Sequence, residues 1–426
     1  MARQGPTDQV GLSVVLCTCN GERWLPALLR SIAGQTHPPD ELVVHDDAST
    51  DRTTELVEEF ARTVSFPVHL RVHDARMGST ANFASAISSS RGRVVALADQ
   101  DDVWYPTKLA LLMHEFELDS TISMVFSDAD LIGEDGTRIG PRLWDTRLVG
   151  RTLRRHAVVP EELLARRALT TGCTMAIRRR VIEAALPFPD LMDDRRAIMR
   201  HDRWLSLVAA AVGTVRAVPE PLLGFRVHPQ QETGVLVGPQ LSGALRRAMF
   251  QVGRNPATAT AHEVRASQLM AAASRADLVG DFKEAATLRS VADHQAARAQ
   301  VGQPGHGPLT VLRAAAHGDY RGDPLASAAV AADLIRAVTV QAKATGAGRH
   351  TDPSAPGSTT ATTTQGPRRD ERPADQRPHG QRLLGDGRSG TGRSRPGELA
   401  ARAPAPPALL LDAIGRRPGH LAARGD

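Results

Sequence analysis

Cysteine is scarce in this chain: its 426 residues hold three, Cys17, Cys19 and Cys173. An odd number so placed builds no disulfide framework, and Cys17-Thr-Cys19 lacks the second ligand pair that a structural zinc requires. Long apolar runs are missing too, since no stretch reaches the roughly 18 uninterrupted apolar residues of a membrane span. Met1 to Val10 has no apolar core of a secretory signal. These absences predict a protein that stays in the cytosol. The chain also lacks a G-x-G-x-x-G after its first strand-like run and any G-x-x-x-x-G-K-[ST], which disfavours a dehydrogenase or a P-loop NTPase.

A basic surface is absent from most of the molecule despite a net charge of +5. Beyond residue 345 there are 13 Arg against 8 acidic residues, which leaves 39 basic and 39 acidic residues before it. The excess therefore sits in a tail, and no nucleic acid partner is expected. That tail, 346–426, is rich in Gly, Pro, Ser, Thr and Arg and poor in core formers, so it cannot offset its ordering entropy by burial and is expected to be disordered. What remains, with 41% hydrophobic and 23% charged residues overall, has an ordinary globular composition. At roughly 150 residues per domain it has room for two or three units.

Between Leu12 and Ser127, short β-branched runs alternate with helical patterns. Strand-like runs at 12–17, 41–45, 68–72, 93–98 and 122–126 are separated by helical stretches at 24–32, 53–60, 81–89 and 106–118. Such alternation predicts βαβ units and a Rossmann-like, mostly parallel sheet flanked by helices. From 155 to 234 the pattern is mixed, with helices expected near 161–167 and 201–212, a strand at 173–177, and short strands near Val215 and Leu222. An Ala- and Arg-rich helical appendage is expected from about 240 to 345. The resulting division is a flexible 1–11, an α/β domain over 12–235, a helical region over 236–345 and the tail.

In open α/β sheets ligands collect at the carboxyl ends of the strands. The second run ends in His45-Asp-Asp-Ala-Ser-Thr-Asp-Arg52 and the fourth in Ala98-Asp-Gln-Asp-Asp-Val-Trp104. Asp46, Asp47, Asp99 and Asp101 are thus expected on one rim. Carboxylates crowded there repel unless each caps a helix or a cation joins them. Mg²⁺ or Mn²⁺ held by one or two carboxylates and by substrate phosphates fits Asp-x-Asp after a strand. The plainer reading makes Asp47, Ser49, Asp51 and Asp102 helix caps; for Ser49 and Asp51 both readings stand. Trp104 is expected in the core, and Trp204 suits either a core or the wall of a ligand groove.

Three motifs, Ser13-Val-Val-Leu-Cys-Thr-Cys-Asn-Gly-Glu22, Val44-His-Asp-Asp-Ala-Ser-Thr-Asp51 and Ala98-Asp-Gln-Asp-Asp-Val-Trp104, resemble in order and spacing those of family 2 glycosyltransferases of the GT-A fold, in particular the bacterial rhamnosyltransferase-like subgroup. Thr171-Gly-Cys-Thr-Met-Ala176, His201-Asp-Arg-Trp-Leu205 and Phe225-Arg-Val-His228 extend the likeness to residue 234, and His317-Gly-Asp-Tyr320 continues it more weakly. The resemblance implies that Thr18, Asn20 and Glu22, with Asp46 or Asp47, hold the base and ribose of a nucleotide-diphosphate sugar donor. It implies that Asp99 faces ribose and metal, that Asp101 is the direct metal ligand with His228 beside it, and that Asp202 is the catalytic base. Arg226 is retained in the donor-binding set. Phe225 stands where the family usually has Tyr, and Pro229-Gln-Gln-Glu-Thr-Gly234 replaces an Asn-containing loop, so the acceptor contacts differ.

The activity so implied is inverting, metal-dependent transfer of a sugar, rhamnose by resemblance, to a hydroxyl of a glycan or lipid-linked acceptor in cell-surface polysaccharide synthesis. Two rivals are kept in view. A sugar-1-phosphate nucleotidyltransferase would need the Gly-rich loop and following Arg that are missing after the first strand. A catalytically silent nucleotide-sugar-binding scaffold would not need Asp99, Asp101 and Asp202. Peripheral contact of the Arg-bearing tail with an anionic membrane is a further expectation, although interruption of its charges by acids favours a solvated tail.

Overall fold

The computed structural model describes residues 11–146, 150–155, 157–189, 199–231, 259–279, 282–303, 305–320 and 326–347. The expected tail, most of the expected N-terminal segment and residues 232–234 of the altered loop lie outside them. The first half of the sheet is built from β1 (Leu12–Thr18), β2 (Glu41–Asp46), β3 (Val68–Val72) and β4 (Val94–Asp99), all parallel in the order β3-β2-β1-β4. β1 runs through the middle of this half as Leu-Ser-Val-Val-Leu-Cys-Thr and is buried along almost its whole length, as a parallel strand covered on both faces requires. The crossovers are α1 (Leu25–Ala33), α2 (Thr53–Ala61) and α3 (Ser79–Ser89). α1 turns Leu25, Leu28, Leu29 and Ile32 inward at helical spacing.

The second half is mixed. After β4 come β5 (Val103–Trp104), α4 (Lys108–Leu118), β6 (Ile122–Ile132), β7 (Arg138–Arg142), α5 (Gly150–Arg155), α6 (Glu161–Arg166), β8 (Met175–Arg178), α7 (Arg179–Ala185), α8 (His201–Val212) and β9 (Thr214–Arg226). β6 does not pair with β4: β8 lies between them, antiparallel to both. β9 runs parallel to β6, and the two-residue β5 pairs antiparallel with β9 at Leu223 and Gly224. Two short strands expected near Val215 and Leu222 are one 13-residue strand. Pro219 and Pro221 donate no ladder hydrogen bonds, and the register with β6 shifts between Ser127 and Asp128 and again between Asp128 and Asp130. That interruption gives one strand the sequence signature of two.

Four helices follow: α9 (Ala259–Val279), α10 (Phe282–Ala299), α11 (Pro308–His317) and α12 (Ala326–Ala347). Leu269, Ala272, Ala273 and Ala276 of α9 and Leu288 and Val291 of α10 join the same continuous core as the sheet. α11 and α12 enclose a smaller cluster around Val311, Tyr320 and Ala337. The Asp333 carboxylate organises it, accepting from Arg298 Nε at 2.6 Å and from the Tyr320 hydroxyl at 2.8 Å. His317-Gly-Asp-Tyr320 is thus a helix end, with Gly318 left-handed at φ 90°, followed by a buried anchor. Among the described residues no helix is long and apolar enough to cross a membrane.

Candidate active site

Strand register determines which side chains meet at the carboxyl rim. Thr18 at the end of β1 is level with Asp46 on β2, and Cys17 is level with Asp99 on β4. The pairing of β5 with β9 brings the turn 100–102 against the segment ending in Arg226, two residues before His228. The first turn of α8 supplies Asp202. A cleft of about 400 Å³ opens at this rim, and its walls include Thr18, Asp47, Asp99, Asp101, Asp202 and His228. Six of the residues singled out in the sequence therefore share one cavity.

The other four are not among its walls. Asp46 is fully buried, with one oxygen taking Ser49 N–H at 2.7 Å and the other taking the hydroxyls of Thr18 at 2.7 Å and Ser49 at 2.6 Å. Asn20, at φ 50°, accepts Thr50 N–H at 2.8 Å, and Glu22 accepts Arg52 N–H at 3.1 Å. These two side chains tie the loop after β1 to the loop before α2. Arg226 spends its guanidinium on main-chain carbonyls, those of Asp101 at 2.6 Å and of Gly133 and Glu134 at 2.8 Å. Arg226 therefore fixes the shape of the turn at Asp101. Asp51 accepts from the N–H of Thr53, the first residue of α2, at 3.0 Å, while Arg52 stands at the N-cap with no side-chain cap bond. Asp47, though it lines the cleft, takes the N–H groups of Met77 at 2.7 Å and Gly78 at 3.0 Å.

Electrostatics set the carboxylates apart. Burial, then the neighbouring charges of Asp101 and Asp202, push Asp99 up to about 7. Asp102, buried below it, is raised well above the usual carboxylate range by burial and by Asp101 and Asp99. One oxygen each of Asp99 and Asp102 and the Cys173 sulfur fall within 4.8 Å of one another. Burial pushes the Cys173 and Cys17 thiols up as well, so neither is a ready nucleophile. Asp101 accepts a hydrogen bond from His228 Nε2 at 2.8 Å, and the His228 ring packs 4.0 Å from Trp24. A divalent cation fits this rim. Asp99 and Asp101 offer hard oxygen donors to the cleft, and a cation there would offset the burial and the neighbouring negative charges that raise Asp99.

Several contributors escaped the sequence reading. Gln100 clamps the first loop to this turn, accepting Cys19 N–H at 2.9 Å and donating to the Cys19 carbonyl at 3.0 Å. His201 stacks on Phe83 at 3.9 Å beside Asp202. Its ring nitrogen lies 2.8 Å from where a Cβ on Gly172 would stand. Trp104 is buried as expected, and Trp204 joins it in the core, with Nε1 donating to the Ala185 carbonyl at 3.0 Å. A second cleft of about 470 Å³, near Val159, Arg180 and Thr214, lies away from these carboxylates. Arg180 there donates to the Thr121 carbonyl at 2.5 Å.

Comparison with known proteins agrees with this geometry. Residues 13–184 match the family Glycosyl transferase family 2. An uncharacterized glycosyltransferase of Nostoc sp. is 25% identical over 230 residues, 51% of this chain and 65% of that protein. A UDP-Glc:α-D-GlcNAc-diphosphoundecaprenol β-1,3-glucosyltransferase of Escherichia coli is 24% identical over 182 residues, 43% of this chain and 65% of that one. The chain thus spans less than two thirds of the length of these relatives. The crystal structure of Staphylococcus aureus TarS 1–349 in complex with UDP is similar over 79% of this chain and 92% of that one, at 16% identity and a TM-score of 0.45. Residues 13–184 are thus similar to family 2 glycosyltransferases, and the strands, the acidic turn and the rim have the mostly parallel α/β architecture of the GT-A fold.

Proposed function

We propose that this protein transfers a sugar from a nucleoside diphosphate donor to a hydroxyl of a glycan or lipid-linked acceptor, with inversion at the anomeric carbon, during cell-surface polysaccharide synthesis. The observation that carries the reading is the convergence of Asp99, Asp101, Asp202 and His228 on one cleft. Asp101 and Asp99 would hold Mg²⁺ or Mn²⁺, with His228 at the edge of the site. The ion when bound supplies charge stabilisation at the leaving diphosphate oxygen. Asp202, across the cleft, takes the proton of the attacking hydroxyl; a single base and direct attack from the face opposite the leaving group invert the anomeric centre. Thr18 and Asp47 border the donor side, and the loops tied by Asn20, Glu22 and Gln100 give that side its shape.

The relative from Escherichia coli is named for a diphosphoundecaprenol-linked acceptor, which supports a lipid-linked acceptor and a site of action at the inner face of the membrane. Rhamnose remains the donor sugar that the motifs favour. The deciding experiment is release of nucleoside diphosphate by the purified full chain from uridine, thymidine and guanosine sugar donors, with Mn²⁺, with Mg²⁺ and with chelator. Metal-dependent release from one donor is expected. Donor binding without release on any acceptor would replace this reading with a silent scaffold, and pyrophosphate as product would replace it with a nucleotidyltransferase.

A further inference from the structure

α8 opens at the cleft without a side-chain hydrogen bond at its N-cap. Helix starts commonly use such a bond, because their first N–H groups have no intrahelical acceptor. The direction in which Asp202 enters the cleft therefore depends on what holds the residues around it. At 3.6 residues per turn, side chains two apart point to nearly opposite faces, so His201 and Arg203 flank Asp202.

On one side the His201 ring stacks on Phe83 of α3. On the other, the Arg203 guanidinium donates to three main-chain carbonyls at the end of α6, Nη1 to those of Leu164 and Arg167 and Nη2 to that of Ala165 at 2.7 Å. Leu164 and Ala165 are both 0% exposed, and carbonyls in the last turn of a helix have no intrahelical partner. A charged donor suits them, since the end of a helix favours a cation. The main-chain N–H of Arg203 also donates to the Asp202 carboxylate at 2.7 Å. One turn on, Ser206 Oγ donates to the Asp202 carbonyl at 2.6 Å and lies 2.5 Å from the Thr170 hydroxyl, which is the donor there because Ser206 has only one hydrogen to give. Rotation of this turn about the helix axis, the motion that would swing Asp202 away, must break these contacts together.

We propose that Arg203 is the positioning residue of Asp202: bonded to the end of α6, it holds the first turn of α8 so that the carboxylate faces the cleft. The anchoring stands on the geometry alone; its consequence for catalysis rests on the transferase reading above. The test follows Arg203→Met in the full chain by two readouts. By hydrogen exchange, residues 200–207 should exchange about tenfold faster or more than in wild type while β1 to β4 keep their protection. Equal exchange over 200–207 would overturn the proposal. By diphosphate release, kcat should fall about tenfold or more with the donor KM changed by less than about twofold. Added to Asp202→Asn, the same change should slow the residual rate by less than about twofold, because a residue that acts through Asp202 then has nothing left to act on.

A tenfold loss in both backgrounds would make Arg203 a support of the fold at large and overturn the proposal. If Arg203→Met yields no folded protein, Arg203→Lys, which keeps the charge and loses the planar fork that serves three carbonyls, carries both readouts in its place. Should wild type release no diphosphate from any donor, the transferase reading fails by itself, and exchange over 200–207 still decides whether Arg203 holds the turn.

Discussion

Each carboxylate at the rim does work that its neighbours cannot. Asp101→Ala and Asp202→Asn are each expected to lower transfer by at least about a hundredfold with melting temperature near that of wild type, because each removes stabilisation felt mainly in the transition state. Near-normal turnover in either purified variant would refute its assignment. Arg226 acts differently, through three carbonyls that no other described side chain serves. Arg226→Met should cost about 1 kcal/mol or somewhat more, the scale for hydrogen bonds from a charged donor to partly exposed acceptors, read as a fall in the urea midpoint. The sequence could place Asp99, Asp101 and Asp202 near one another because the first two follow a strand of the parallel sheet and the third opens a helix at the same rim. It concealed Arg226, Asn20 and Glu22, since nothing in a residue type says whether its side chain faces the ligand or the neighbouring loop.

At the scale of elements, the parallel half of the sheet was readable from the alternation of apolar strand and amphipathic helix. The antiparallel half was not. β5 is two residues long, β8 inserts between strands that precede it in the chain, and the prolines of β9 break its periodicity. Each of these is decided by long-range pairing, which local pattern does not encode. One consequence falls on the junction of the turn before β8 with α8, where Gly172 leaves room for His201. Gly172→Ala should press on that ring and shift the first turn of α8, on which Asp202 stands. The expected result is a folded protein with kcat lowered tenfold or more and a smaller change in KM, measured by diphosphate release. An unchanged kcat would show that the helix yields without moving its carboxylate.

The whole molecule is tuned by groups remote from the rim. Burial, and then the charge of Arg298, holds His262 and His294 down at about 4 against an unfolded value near 6.5. Both are neutral in the fold, so their contribution is fully present above pH 6.5 and is lost as pH falls from there toward 4, at up to about 1 kcal/mol per pH unit for each. Urea midpoints at pH 7, 5.5 and 4.5 should fall in that order, and His262→Gln with His294→Phe should flatten the slope; a wild-type midpoint constant over this range would exclude it. The helices bearing these histidines share the core of the sheet. A chain ending at residue 235 should therefore aggregate or melt lower than one ending at 347, as gel filtration and a thermal scan would show. The α/β sheet and the folding unit have different borders. Moving the sheet alone onto another protein would leave behind the helices that complete its core.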